Sequence, residues 1–349
     1  MDYVPDPSTL PNTRHKCPAC FKQYKRKEHL IEHMKVSCHS IHQPKCGVCQ
    51  KHCKSFESLR EHLNGPLAKQ NCSKIFADRG CHLCMKTFDD PPTLSEHKWS
   101  CSFPPPKPLW GNPQKCQEAV AMDCEMVGGG SDGSLDICAR VCLIDADENV
   151  LFHTYVQPLI PITDYRSEVT GLTEEHLRDA MPLKEVQEKI LTILYNGETI
   201  GIVRLNGGKA RLLVGHSVKH DLDCLRMNYP DHLIRDTANY RPLMKTNLVS
   251  HSLKYLTKTY LGYEIQTGVH DPYEDCVSAM RLYKRMCAHA QDHHAGCPLT
   301  PNIQTPLNGE PGPWKMKDLE KMTPDELYEM SRSDYVCWCF DSWQPPQQL

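Results

Sequence analysis

One spacing governs what the front of this chain can become: Cys-x2-Cys-x12-His, three times within residues 1–101. The units are Cys17, Cys20 and His33; Cys46, Cys49 and His62; and Cys81, Cys84 and His97. Each unit is too short to bury a core that would hold it folded, so it needs a cross-link or a bound ion. Paired thiols followed by a downstream imidazole are metal spacing. Twenty cysteines in 349 residues, with no apolar segment behind a basic amino end, fit a reducing compartment better than a disulfide scaffold.

The apolar positions inside the units repeat as well. Tyr24 and Leu30 in the first unit match Phe88 and Leu94 in the third; the second has Cys53 and Leu59, with nearby Phe56 standing in for its aromatic. This is the pattern of a ββα zinc finger, over residues of about 15–39, 44–72 and 79–101. The fourth ligand is Cys38 or His39 in unit one, Cys72 in unit two and Cys101 in unit three. About three structural Zn²⁺ ions are expected, each contributing roughly 10 kcal/mol or more to folding. On the duplex-reading register, the sixth helical position of every unit is acidic: Glu32, Glu61 and Glu96. Phosphates lining a major groove would repel them and the linkers between units are irregular, so RNA, a ribonucleoprotein, structured or non-specific nucleic acid, or a protein partner is expected more than a three-finger reader of duplex DNA.

Charge divides the chain. Residues 1–110 carry 17 Lys and Arg against 10 Asp and Glu, a net of +7; the rest carries 23 against 33, a net of −10. A basic front suits a polyanion, with "KQYKRK", Lys22–Lys27, as its best phosphate-binding patch, and an acidic body suits cations. Residues 102–114 are proline-rich and read as an extended spacer between the finger units and a second domain over 115–290. A proline-rich, aromatic tail follows at 291–349, with a short helix in "TPDELYEMSRSD" and an aromatic cluster in "DYVCWCFDSW" that packs back on the domain or meets a partner. No run of about 18 apolar residues occurs, so no membrane span is expected.

The second domain reads as α/β. Residues 119–127, 136–144 and 149–157 form an antiparallel meander, a helix spans 173–195 with a break at Met181-Pro182, and a buried strand lies at 210–216. A helix from Val218, a strand at 233–237 and helices in "HSLKYLTKTYL" and "YEDCVSAMRLYKRMCAHA" complete a mixed sheet covered by helices. Residues 196–210 look like an added loop or hairpin.

Within the first strand, "AVAMDCEMVGGG" holds two acids, Asp123 and Glu125, on one face. Such a pair resists ionising unless a cation sits between them. Asp221 follows a buried strand where a helix begins, and Asp275 lies on the first turn of a helix capped by Asp271, with Pro272 at its start and Glu274 completing a capping box. His270 lies just outside that helix. Four carboxylates and an imidazole form a two-metal hydrolysis constellation, and all-oxygen ligation favours Mg²⁺ or Mn²⁺. His270 is the expected general base. His216 packs at a strand end, His220 meets substrate or solvent, and Cys124 and Cys276 are small core residues on this reading.

At these residues the chain resembles the DEDDh 3′→5′ exonucleases of the ribonuclease H-like superfamily. Within them, "AMDCEMVG", "LVGHSVKHDL", "IRDT", "SLKYL" and "HDPYEDCVSAMRLY", over residues 118–288, resemble the RNA exonuclease 4 and interferon-stimulated exonuclease group. The resemblance implies a ribonuclease H-like exonuclease domain that releases nucleoside 5′-monophosphates from a 3′ end of single-stranded RNA. It implies two metals on Asp123, Glu125, Asp221 and Asp275, His270 as base, and Met126 against the terminal nucleotide. It tilts localisation toward the nucleus or nucleolus, with cytoplasm the alternative. Two other readings stay open: a single-stranded DNA exonuclease, since the acids act on the phosphodiester and not the sugar, and a finger-bearing adaptor with a silent nuclease domain.

Overall fold

The computed structural model describes residues 14–17, 20, 22–37, 43–101, 118–199, 208–291, 338 and 341. The candidate ligands Cys38 and His39, the 102–114 spacer, part of the 196–210 insertion and nearly all of the tail lie outside the described residues.

The first unit is a ββα module. Strands β1 (His15–Lys16) and β2 (Gln23–Tyr24) pair antiparallel ahead of helix α1 (Lys27–Ser37). Its core is small: Leu30 is buried and Tyr24 lies 5.1 Å from the His33 ring. In the second unit a single bridge, Lys45 to His52, replaces the hairpin, and α2 (Phe56–Asn64) carries His62. Cys72 comes from a separate helix, α3 (Gln70–Arg79), which explains its distance from His62 along the chain. Phe56 meets Tyr260 of the second domain edge-on, and Phe76 of α3 is fully buried. The third unit has one bridge, Gly80 to Thr87, and α4 (Pro91–Cys101), with Phe88 at 4.5 Å from the His97 ring.

The second domain is built on β3 (Ala119–Gly129), buried along most of its length. It runs antiparallel to β4 (Leu135–Asp145), which pairs with β5 (Val150–Gln157), so the expected meander forms. A short β6 (Ile162–Asp164) pairs with the far end of β3, followed by α5 (Ser167–Thr170) and α6 (Glu174–Leu177). The 173–195 segment breaks at Met181-Pro182, as expected. Met181–Pro182 is β7, a parallel pair with β5, because proline at this edge needs no ladder N–H; α7 (Leu183–Tyr195) follows.

Strand β8 (Leu212–Gly215) lies parallel to the start of β3, and β9 (Ile234–Asp236) lies parallel to β8. The sheet order is β7-β5-β4-β3-β8-β9. Strand β3 therefore sits where antiparallel pairing changes to parallel, and on that side β8 pairs only with Ala119–Ala121 and β6 only with Gly128–Gly129, leaving the residues from Met122 to Val127 open. Helix α8 (Val218–Cys224) starts at this opening. The expected helix at 251–261 is α9 (Leu253–Leu256) continued by a π turn, Thr257–Leu261, and ended by Gly262 at φ +85°. Helix α10 (Pro272–Gln291) packs across β3, β4 and β8. Among the described residues no helix is long and apolar enough to cross a membrane.

Candidate active site and Cys/His clusters

Strand β3 projects Asp123 and Glu125 to one side of the sheet, as the two-residue repeat requires. A β-bulge sits opposite them: Glu125 pairs with Arg140 but Met126 with Cys138, so Ala139 is the extra residue of β4. Bulges re-aim side chains and are common beside functional sites. Asp221 is on the first turn of α8 and Asp275 on the first turn of α10. All four acids line one cavity of about 310 Å³ together with His270, Met126, His216, His220, Ser217 and Arg166. Ligand atoms of Glu125, His270 and Asp275 lie within 4.8 Å of one another.

The turn that delivers Asp221 is pinned by the next strand. Ser217 is left-handed at φ +63°, and its N–H donates to Asp236 Oδ1 at 2.8 Å, which also accepts from Ala238 N–H at 2.9 Å. Thr237 donates its hydroxyl to the Gly215 carbonyl at 2.8 Å and bonds His216 Nδ1 at 2.9 Å. The "IRDT" segment is thus a brace for the loop carrying the second acidic motif. His216 is held at the strand end as expected. Exposed His220 faces Asp136 at 3.1 Å.

The helix bearing Asp275 is capped differently from the expectation. Asp271 Oδ1 accepts from Tyr273 N–H at 3.2 Å, but Glu274 does not close a capping box; its Oε2 accepts from Gln266 N–H at 3.2 Å. Gln266 in turn donates Nε2–H to Asp275 Oδ2 at 2.8 Å, fixing that carboxylate from the side. His270 is set by its own N–H, which donates to the Val169 carbonyl at 2.7 Å. Asp271 also pairs with Arg140 at 3.1 Å, tying the loop to β4.

Negative charge is concentrated here without enough protein cations to balance it. Burial, then Asp221, Asp275 and Glu125, push the Asp123 carboxyl well above the usual range. Burial and neighbouring Asp236 do the same to Asp221. Burial and Asp275 raise Glu125 to about 7, with Arg140 opposing, and burial raises Asp275 to about 6 against the Gln266 hydrogen bond. Asp221 Oδ2 and Asp275 Oδ1 are buried with no hydrogen-bond partner. Orphaned, converging carboxylate oxygens in an all-oxygen donor set are what a hard divalent cation fits. Cys124 and Cys276 are buried small residues, Cys276 donating to the Cys142 carbonyl at 3.3 Å.

Three positions were not singled out from the sequence. Arg166, left-handed at φ +49°, pairs with Asp136 at 2.7 Å and brings a guanidinium into the cavity wall. Gln266 and Arg140 act on Asp275 and on Glu125. No spacing rule flags a lone Arg on a strand or loop, or a lone Gln on a loop; only the fold brings them in.

The Cys/His units form compact clusters. Candidate ligand atoms of Cys46, Cys49, His62 and Cys72 all lie within 4.8 Å of one another, as do those of Cys81, Cys84, His97 and Cys101, and of Cys17, Cys20 and His33. Within them Cys49 Sγ is 3.3 Å from His62 Nε2 and Cys81 Sγ is 3.6 Å from Cys101 Sγ. A tetrahedron with zinc–sulfur bonds of about 2.3 Å has sulfur–sulfur edges of roughly 3.8 Å, so the donor sets suit zinc.

Residues 120–283 match the Exonuclease (RNase_T) family. Over this segment the chain is similar to an exonuclease domain. The chain is 36% identical over 172 residues to RNA exonuclease 4 of Candida glabrata, covering 49% of this chain and 60% of that protein. It is 39% identical over 165 residues to RNA exonuclease 4 of Xenopus laevis, covering 47% of this chain and 36% of that one. The chain therefore spans less than two thirds of the length of these relatives. Among solved structures, the pseudoubiquitin hydrolase–RNA exonuclease module of Saccharomyces cerevisiae Pan2 in complex with A7 RNA superimposes with a TM-score of 0.42 at 26% identity, covering 51% of this chain and 29% of that one. An exonuclease domain implies divalent metal cofactors, which agrees with the unbalanced carboxylates of the cavity.

Proposed function

We propose that the chain is a 3′→5′ exoribonuclease. The observation that carries this is the convergence of Asp123, Glu125, Asp221 and Asp275, delivered by three separate elements, on one cavity that His270 also lines. The relatives named RNA exonuclease 4 support RNA as the substrate. The four acids would hold two Mg²⁺ or Mn²⁺ ions, which when bound supply Lewis-acid stabilisation of the scissile phosphate and its leaving oxygen. His270 takes the proton from the attacking water at an imidazole nitrogen. Burial and the nearby Lys254 ammonium hold that imidazole below its usual range, so it is neutral and able to accept. Gln266 keeps one Asp275 oxygen turned so that the other faces the cavity. Arg166 offers a cation to the phosphates of the strand, and half-buried Met126 offers an apolar surface to the terminal nucleotide. Hydrolysis with in-line attack releases a nucleoside 5′-monophosphate and leaves a new 3′ hydroxyl.

Zinc, about three ions per chain, would sit on the three Cys/His clusters, and the basic Lys22–Lys27 segment would meet RNA phosphates. The test is direct. Full-length protein with Mg²⁺ or Mn²⁺ is given matched 5′-labelled RNA and DNA single strands. A ladder shortening from the 3′ end, faster on RNA and absent for Asp123→Asn, is expected. Shortening from the 5′ end, internal cuts, or equal activity of Asp123→Asn would overturn the assignment.

A further inference from the structure

Modules two and three do not hang from the exonuclease domain; they are seated on it at three points. At the first, Phe56 lies edge-on to Tyr260 with ring centroids 5.8 Å apart, Arg60 stands over the same ring at 5.6 Å, and Glu57 Oε2 accepts from Thr246 N–H at 2.8 Å. At the second, Leu83, in the loop between Cys81 and Cys84, packs on Gly262 so closely that a Cβ there would come within 3.3 Å of it. At the third, Arg285 of α10 donates to the carbonyls of Tyr260 and Cys101, and to Cys101 Sγ at 3.3 Å.

The third contact has an electrostatic reason. A divalent zinc held by three thiolates and one neutral imidazole carries a net charge of −1. The set Cys81, Cys84, His97 and Cys101 is of that kind, and Cys81 and Cys101 are buried. Arg285 is the guanidinium against it. Its planar fork meets one sulfur and two carbonyls at once, which the single ammonium of lysine cannot reproduce. Hydrogen bonds to a metal's ligands from outside the metal fix their orientation, and their loss typically costs 10–100-fold in affinity.

Resting on the zinc assignment above, we propose that Arg285 holds the Cys101 thiolate of module three and thereby couples zinc occupancy there to the exonuclease site. The coupling has a physical route. Arg285 belongs to α10, whose first turn presents Asp275. Tyr260 and Gly262 close the segment from α9 onward, where Lys254 Nζ donates to the Gln266 carbonyl at 2.8 Å and Gln266 holds Asp275. Without zinc the Cys101 sulfur is no longer fixed by a metal, and Arg285 loses a set partner in the contact it shares with the Tyr260 carbonyl.

The experiment uses the full chain loaded with zinc, as wild type, Arg285→Met, Arg285→Lys and Cys101→Ala. Zinc content is measured first; then zinc release to a chromogenic chelator and hydrogen exchange over 253–262 are followed. Arg285→Met is expected to speed, by about 10–100-fold, the one release phase that Cys101→Ala removes. Arg285→Lys should recover only part of the difference, and both Arg285→Met and Cys101→Ala should accelerate exchange over 253–262. Release from Arg285→Met at the wild-type rate, or unchanged exchange in Cys101→Ala, would overturn the coupling. A wild-type chain that retains no zinc would instead overturn the zinc assignment itself.

Discussion

At the residue scale, two kinds of titrating group in the cavity pull in opposite directions. Glu125 and Asp275 are raised to about 7 and about 6 from ordinary values of 4.5 and 3.8. Without divalent ions the folded chain keeps protons that the unfolded chain has already released. The stability they allow is therefore full below about pH 4 and is lost as pH rises toward about 7. A cation bound among the carboxylates removes that penalty where they are ionised. The midpoint of thermal unfolding for zinc-loaded protein should thus rise more on adding Mg²⁺ at about pH 7.5 than at about pH 5. Equal shifts at both pH values would argue against ion binding by these acids. His270 runs the other way: lowered by burial and by Lys254, it is neutral at pH 7 and is lost as a base only on acidification below its usual 6.5. His270→Asn should lower kcat by roughly 10²–10⁴-fold and erase the acid limb of the pH–rate profile. A variant with near wild-type kcat would exclude the proton-accepting role.

At the scale of elements, the site depends on how closely β8 approaches β3. A Cβ at Gly215 would lie 2.5 Å from Val218 Cγ2 and 2.9 Å from the Met122 carbonyl oxygen, so no larger residue fits without moving α8 or β3. Gly215→Val should cost about 1–3 kcal/mol by overpacking and should weaken Mg²⁺ binding, because Asp221 rides on the element that is displaced. Denaturant midpoints and Mg²⁺ titrations would show both effects, and an unchanged midpoint would contradict the tight approach. The strands themselves were legible. Alternation and apolar runs mark 119–127, 136–144 and 149–157, and Pro272 marks the start of α10, because these signals are local. The acidic site was legible for a different reason: five motifs in order constrain one another. What could not be read were contacts made across the fold. That the break at Met181-Pro182 becomes a strand depends on an edge of β5, Glu274 turns to Gln266 instead of its own helix start, and Arg166 reaches the cavity from a loop with no periodic signature.

For the molecule as a whole, modules two and three and the described tail residues Trp338 and Asp341 pack against the second domain, although local sequence suggests beads on a string. Phe56 reads as a module's own core residue, yet it also meets Tyr260 across the fold. The tail shows the same principle. Trp338 is buried, stacked on Tyr240 at 3.8 Å with 11° between planes and edge-on to Tyr283 at 5.4 Å. Three residues on, Asp341 accepts from Arg235 at 2.6 and 2.7 Å and from the Tyr283 hydroxyl at 3.0 Å. Arg235 belongs to β9, the last strand of the sheet order, next to the Asp236 that braces the Asp221 loop. The two described residues of that segment, Trp338 and Asp341, thus pack back on the domain. A guanidinium this buried needs its carboxylate, so Asp341→Ala should destabilise by about 3–5 kcal/mol through the charge it strands. Arg235→Ala strands the opposite charge, and the double variant should be less destabilised than the sum of the two by about 0.5–3 kcal/mol. Additive losses in a denaturant double-mutant cycle would mean that the pair does not form in solution. Non-additive losses, together with weaker Mg²⁺ binding in the single variants, would show that the last strand of the sheet passes the state of the tail to the loop that carries Asp221.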